Sequence, residues 1–234
     1  MKKLIFVLLT TIAIAQPEFN VITNNNPYPA KLFVHSMPGY MSILDTSLNY
    51  YWAINNNNKG MDFKYNNSKL SFFHKPYYES NQAYWIIADE NMVEIDSIQC
   101  TQGLTDYHDM IITDDNTYIL QSYDYQIFDL SSVGGSEFEV VRDILRIQEF
   151  DFDHNLIFNW IASDHLNIFD YETTLSLNSP GGISWMHGNS IDIDYDNNLI
   201  LSNRWNHEII KINRITGEII WIMGGPLNEF TFLN

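Results

Sequence analysis

Ile191-Asp192-Ile193-Asp194-Tyr195-Asp196-Asn197-Asn198-Leu199-Ile200-Leu201-Ser202 is the stretch that decides the fold. Ile191, Ile193 and Tyr195 alternate with Asp192, Asp194 and Asp196, the period-two pattern of a strand with one buried and one wet face. Asn197-Asn198 then turns the chain, because Asn and Asp tolerate left-handed backbone, and Leu199-Ile200-Leu201 runs back. This predicts a β-hairpin. A second one follows, Glu208 to Ile212 and Glu218 to Ile222 around Thr216-Gly217, and two hairpins in series make a four-stranded sheet.

Working outward, the same order of apolar run, Asx-rich turn and apolar run recurs at Met61 to Phe73 and Met110 to Gln121. Tyr84 to Ala88 with Met92 to Ile98 closes the first of these copies, and Phe150 to Trp160 closes the second. Strand pairs repeated at intervals of tens of residues indicate radial repetition, so the expected fold is all-β, a β-propeller of four-stranded blades. A β-sandwich is the alternative arrangement of such strands. At about 45 residues per blade the chain holds about four or five blades, an incomplete ring if more are needed to close it. Ala162 to Trp185 is the expected insertion between blades, and Glu137 to Gln148 reads equally as a short helix or a strand. The final residues, Glu229 to Asn234, supply no closing strand, which suggests a fragment of a longer protein.

Lys2-Lys3, the apolar run Leu4 to Ala15 and the small residues Ala13-Ile14-Ala15 predict a signal peptide over residues 1–15, cleaved before Gln16. The apolar run is too short to cross a bilayer, so the expected mature protein, residues 16–234, is exported without membrane insertion, to the periplasm or the medium. Cys100 has no partner for an internal disulfide, so stability must come from packing. A formal net charge of −17 repels phosphate backbones and anionic lipid heads, which argues against nucleic-acid and membrane-surface partners.

Within this acidic chain a few cationic groups recur at related places. His108 in Asp106-Tyr107-His108-Asp109-Met110 and His187 in Trp185-Met186-His187-Gly188-Asn189-Ser190-Ile191 both stand just ahead of an innermost hairpin. Arg204 follows the last hairpin in Ser202-Asn203-Arg204. Propeller symmetry would bring the three to one axis, where they form a pocket for a small anion, and a guanidinium fork suits sulfate, phosphate or carboxylate oxygens. Trp185 is the tryptophan best placed to line an aromatic-binding pocket.

In these residues the chain resembles the bacterial aryl-sulfate sulfotransferases, or arylsulfotransferases, which fold as six-bladed propellers. The similarity is carried by Trp185-Met186-His187-Gly188-Asn189-Ser190-Ile191, Ser202-Asn203-Arg204 and Trp221-Ile222-Met223-Gly224-Gly225, with Tyr107-His108-Asp109-Met110 and Ser163-Asp164-His165 as further matches, over roughly residues 105–234. It implies transfer of a sulfuryl group from a phenolic sulfate ester to a phenol acceptor through a histidine intermediate, without a cofactor or metal. On this resemblance His108, His187 and Arg204 are the catalytic candidates, and His165, Trp185 and Asn189 the substrate-binding ones. The family's nucleophilic histidine belongs to a motif after the Gly-Gly segment that this sequence does not reach. The rival expectation is a non-catalytic secreted propeller that serves in binding or adhesion.

Other motifs fall short of their chemistry. Asp192-Ile193-Asp194-Tyr195-Asp196 opens like a calcium loop, but Asn197 and Asn203 stand where that loop needs Gly and Glu. His187 and His207 lack the helical spacing of a zinc pair. Gly224-Gly225-Pro226 and Gly181-Gly182 read as turns, not phosphate loops.

Overall fold

The structure is a computed structural model that describes residues 19–26, 28–36, 40–55, 59–75, 82–177 and 179–233; the expected signal peptide and its cleavage site lie outside them. The fold class is all-β, of the β-propeller type: the strands form four blade-like sheets, each built on an up-and-down antiparallel meander. It divides into two compact units, Met1–Asn57 and Asn58–Asn234.

The first unit holds β1 (Leu32–Ser36), β2 (Tyr40–Leu44) and β3 (Tyr50–Asn55), paired in that order. Met41, Ile43 and Leu44 are its buried apolar residues.

The second unit holds three sheets. β4 (Lys59–Asn66), β5 (Lys69–His74), β6 (Tyr84–Ala88) and β7 (Glu94–Ile98) form one. β8 (Leu104–Ile112), β9 (Tyr118–Phe128), β10 (Glu139–Phe150) and β11 (Leu156–Ile161) form the next, and β12 (Ile183–Ser184) adds to β10 in parallel. β13 (Gly188–Ile193), β14 (Leu199–Asn203), β15 (Glu208–Ile212) and β16 (Ile219–Gly224) form the last. The expected hairpins are all present. Residues 137–148 resolve as strand, since β10 spans most of them, and the insertion between β11 and β13 carries a single helical turn, α1 (Ala162–His165), and a 3-10 turn at Ile168–Tyr171.

One turn geometry recurs in five of these hairpins. At Asp45, Asp89, Thr113, Asp151 and Asp194 the backbone N–H donates to the carbonyl four residues on, and the carbonyl accepts from the N–H three residues on. The fourth residue of each turn, Leu48, Met92, Asn116, His154 or Asn197, is left-handed with φ of 59–64°. This is the three-residue hairpin loop that ends in a bulge, and an Asp in first place suits it because its Oδ1 caps the turn, as Asp45 does toward the Ser47 and Asn49 N–H groups at 2.9 Å.

The cores of the second unit lie between the faces of successive sheets. Phe73, Trp85 and Ile98 of the β4–β7 sheet meet Met110, Tyr118, Leu120 and Phe150 of the β8–β12 sheet. Leu145, Ile147 and Trp160 of that sheet meet Ile191, Leu201, Ile210 and Ile222 of the last one. Burial of each such side chain contributes about 1.5–3 kcal/mol, and it is this apolar stacking, with no disulfide, that joins the blades. Arg214 adds a bidentate clasp from the β15–β16 loop to Glu149 on β10, at 2.9 and 2.5 Å. The first strands β4, β8 and β13 stand side by side: the Asn66 side chain bonds the Met110 carbonyl and the Ile112 N–H across β4 and β8, both at 2.9 Å, and Asp109 on β8 accepts the Ile191 N–H of β13 at 2.8 Å.

Candidate active site

The irregular part of β8 builds one half of the site. Its pairing with β9 slips between Thr105 and Met110, which frees Asp106 to Asp109 from the ladder. Asp106 is buried, and its Oδ2 accepts the His108 N–H and the Gln121 amide, each at 2.9 Å, while lying 2.7 Å from His108 Nδ1. The Trp85 indole N–H holds the Asp106 carbonyl at 3.1 Å. A carboxylate on Nδ1 fixes the imidazole orientation and leaves Nε2 as its working nitrogen. Tyr107 stacks on the His108 ring, with centroids 4.2 Å apart.

The other half comes from the residue that precedes β13. His187 meets His108 edge to face, with centroids 4.8 Å apart, and stacks on Tyr123 of β9 at 5.3 Å. Gly188 allows this approach, because a Cβ there would stand 2.5 Å from Gln121 Oε1 and 2.8 Å from Leu145 Cδ1. The Tyr123 hydroxyl donates to the Gly188 carbonyl at 2.7 Å. Burial, helped by the nearby Asp106 and Asp143 charges, pushes its phenol up, so the hydroxyl keeps its proton. His187 Nδ1 lies 3.6 Å from Asp143 Oδ2, beyond hydrogen-bond length but within reach of its charge. Burial pushes the Asp143 carboxyl up, yet His187 and then the Ser184 hydroxyl outweigh it and hold the group below the usual carboxylate range.

Together His108, His187, Tyr107, Tyr123, Phe73 and Lys75 line a cavity of about 220 Å³. Arg204 is tied to this cluster through its backbone, its N–H donating to the His187 carbonyl at 2.8 Å. Its guanidinium lies over the Trp205 ring at 5.0 Å, and that ring stands 6.3 Å from His187. No carboxylate pairs with Arg204 among the described residues, but Arg204 is not one of the residues that line the cavity, so the structure brings His108 and His187 to one cavity and ties Arg204 to it only through the His187 carbonyl and the Trp205 ring.

The remaining sequence candidates lie differently. Asn189 is exposed on β13 where its pairing slips, directly after Gly188. Trp185 is 1% exposed and packs edge-on against Phe128 and Tyr171, which makes it a core residue that positions the chain leading to His187. His165 stacks flat on Trp160 at 5.2 Å, and no ring contact, hydrogen bond or ion pair joins it to His108 or His187 among the described residues. Tyr123, Lys75 and Asp143 had no sequence signal, since each reaches the cavity or its histidines from a different strand or loop.

Among the larger cavities of the described residues, the two largest are chemically unsuited to an anion. One of about 720 Å³ is lined by Glu94, Asp96 and His154, and one of about 700 Å³ by Asp109, Asp114, Asp115, Asp192, Lys64 and Arg214. Their cations are already committed, Lys64 to Asp62 and Asp109 and Arg214 to Glu149. Carboxylate-rich walls of that kind repel sulfate esters.

Asp62 on β4 is a half-buried carboxylate beside Lys64 and Asp109. It is left-handed, with φ 49°, and lies 2.6 Å from Lys64 Nζ. Burial pushes its carboxyl up to about 6, with Lys64 opposing and Asp109 reinforcing the shift. The folded state therefore binds more protons than the unfolded one between about pH 4 and 6, so stability falls as pH rises through that window. Asp62→Asn keeps a side chain suited to left-handed backbone and leaves Asp109 to pair with Lys64. It is expected to stabilise the protein by about 1 kcal/mol at pH 7.5, with the two thermal-melting curves converging near pH 4. A variant less stable than the parent at pH 7.5 would count against this reading.

The family model described as arylsulfotransferase (ASST) matches residues 75–234, which contain both histidines, Arg204 and the glycine pair at 224–225. No curated protein matches the chain. Among solved structures it is similar to a crystal structure of a protein of unknown function from Bacteroides caccae, with 10% identity and a TM-score of 0.46. That similarity covers 84% of this chain and 58% of the other, so the chain spans less than two thirds of that protein's length. With the family match running through more than half of its residues, the chain belongs to the arylsulfotransferase family.

Proposed function

We propose that this protein moves a sulfuryl group from a phenolic sulfate ester to a phenol, with His108, His187 and Arg204 holding the sulfuryl oxygens. The observation that carries the reading is the pair of imidazoles 4.8 Å apart, walled by Tyr107 and Tyr123, in an otherwise acidic protein. Charge in the transition state spreads over three peripheral oxygens and the departing phenolate, and fixed cationic donors stabilise it as they do in phosphoryl transfer.

The reaction balances in two steps. The neutral ring nitrogen of the family's nucleophilic histidine, which is neither His108 nor His187, attacks sulfur, the N–S bond forming as the aryl S–O bond breaks, and the phenolate leaves with the electron pair and gains a proton. The acceptor phenol then attacks sulfur, loses its proton and releases the imidazole, which keeps the N–S electron pair. No metal or redox partner enters this balance. Export to the periplasm or the medium is part of the proposal, supported by Lys2-Lys3 and the apolar run Leu4 to Ala15.

The test is release of 4-nitrophenolate from 4-nitrophenyl sulfate with and without phenol. Residues 16–234 alone should bind the ester without turning it over; acceptor-dependent release is expected from a chain that carries the family's nucleophile motif, and there Arg204→Lys should lower it on the order of tenfold to a hundredfold, since an ammonium is a point charge where the guanidinium is a planar fork. Release that ignores the acceptor and survives Arg204→Lys would refute the reading.

A further inference from the structure

We infer that Asp143 is the positioning residue of His187, holding the ring so that Nδ1 faces its carboxylate and Nε2 remains for the sulfuryl oxygens. The inference rests on the sulfate-ester reading of the site. Its starting point is a fault in β10. That strand pairs with β9 through Val141 and Gln126, then resumes at Ile144 and Asp124, so Arg142 and Asp143 stand opposite Tyr125 alone. Asp143 is left-handed there, with φ 56°, an uncommon conformation inside a strand that Asp tolerates better than most residues. Bulges of this kind re-aim side chains and gather next to active sites.

Four consecutive residues address this one bulge. Ser184 donates its hydroxyl to Asp143 Oδ2 at 2.7 Å, the Trp185 N–H donates to the Arg142 carbonyl at 3.2 Å, and the Met186 N–H donates to the Asp143 carbonyl at 3.0 Å. His187 then places Nδ1 3.6 Å from that same Oδ2. The other groups packed on the ring are His108, Tyr123 and Trp205, and none of them bonds either ring nitrogen among the described residues. Asp143 is thus the carboxylate in reach of Nδ1. A short closure of this gap when an anion binds would make the Nδ1–H to carboxylate bond and stabilise the charged ring where the sulfuryl group needs it.

The sign of the effect separates positioning from simple charge. A carboxylate beside an anion site repels the ligand, so if Asp143 acted only through its field, removing its charge would tighten binding. Asp143→Asn retains the shape, an acceptor for Ser184 and a side chain tolerant of left-handed backbone. With 4-nitrophenyl sulfate as the probe, this variant is expected to lose about tenfold in affinity, with binding of neutral phenol unchanged. Equal or tighter sulfate-ester binding would overturn the inference. In the ligand-free protein, ring nitrogen chemical shifts should show the His187 proton on Nδ1 in the parent and shared between the two nitrogens in Asp143→Asn. If the parent fails to bind the ester while this tautomer difference is present, the sulfate-ester reading fails and the positioning role stands; an unchanged tautomer overturns the positioning role. Should Asp143→Asn lower the melting temperature markedly, Ser184→Ala, which frees the carboxylate without removing it, is expected to lose a smaller, severalfold share of affinity. No loss in that variant would also overturn the inference.

Discussion

His187→Ala is expected to weaken binding of 4-nitrophenyl sulfate by about a hundredfold or more while leaving the fold intact. The size follows from position. The ring stands between His108 and Tyr123, with Trp205 on a further side, so truncation removes a hydrogen-bonding group and part of the cavity wall. One hydrogen bond to a charged group is worth about 1.5–3 kcal/mol, and loss of the ring's packing brings the total to about 3 kcal/mol, or a hundredfold. The fold should survive, because removing two buried ring nitrogens that make no hydrogen bond offsets part of the packing lost from a side chain 17% exposed. Calorimetric titration of the ester into both proteins gives the comparison, with the melting temperature as control. A variant that binds within about threefold of the parent would remove His187 from the site.

Trp185→Ala should act the opposite way, through the fold. The indole is 1% exposed among Phe128 and Tyr171, and the residue's backbone is held on both sides, its N–H by the Arg142 carbonyl at 3.2 Å and its carbonyl by the Asn206 amide at 3.1 Å. Truncation leaves a cavity that these fixed neighbours cannot fill, at a cost of about 3–5 kcal/mol. Trp185→Phe should cost much less, about 1–2 kcal/mol, because the indole N–H has no hydrogen-bond partner among the described residues and its removal relieves a buried donor. Urea unfolding followed by circular dichroism reads both. A Trp185→Ala protein within about 1 kcal/mol of the parent would contradict the core placement.

The contrast between His187 and Trp185 shows how far the sequence reaches. Alternation and Asx turns revealed the hairpins of the second unit because each is local: Ile191 to Ser202 needs only its own residues to declare a strand, a turn and a strand. β10 stayed ambiguous between helix and strand because the bulge at Arg142 and Asp143 breaks the period of two at its middle. The histidines were legible as residue types ahead of inner hairpins. Their neighbours were not, because Tyr123, Asp143 and Lys75 come from separate strands and loops, and only tertiary pairing brings them to one place. Nothing in Trp185-Met186-His187 distinguishes the side chain that is buried from the one that faces the cavity; that is decided by the backbone bonds to the bulge.

The claim at the centre of this account is that the His108–His187 cavity receives the sulfuryl group. Its most direct test is the imidazole nitrogen spectrum of the labelled protein during titration with 4-nitrophenyl sulfate. The account predicts that the His108 and His187 ring resonances move together, saturate with the calorimetric affinity, and do so while His154, which lines the acidic cavity of about 720 Å³, stays still. Saturable movement of His154 with His108 and His187 unmoved would contradict it.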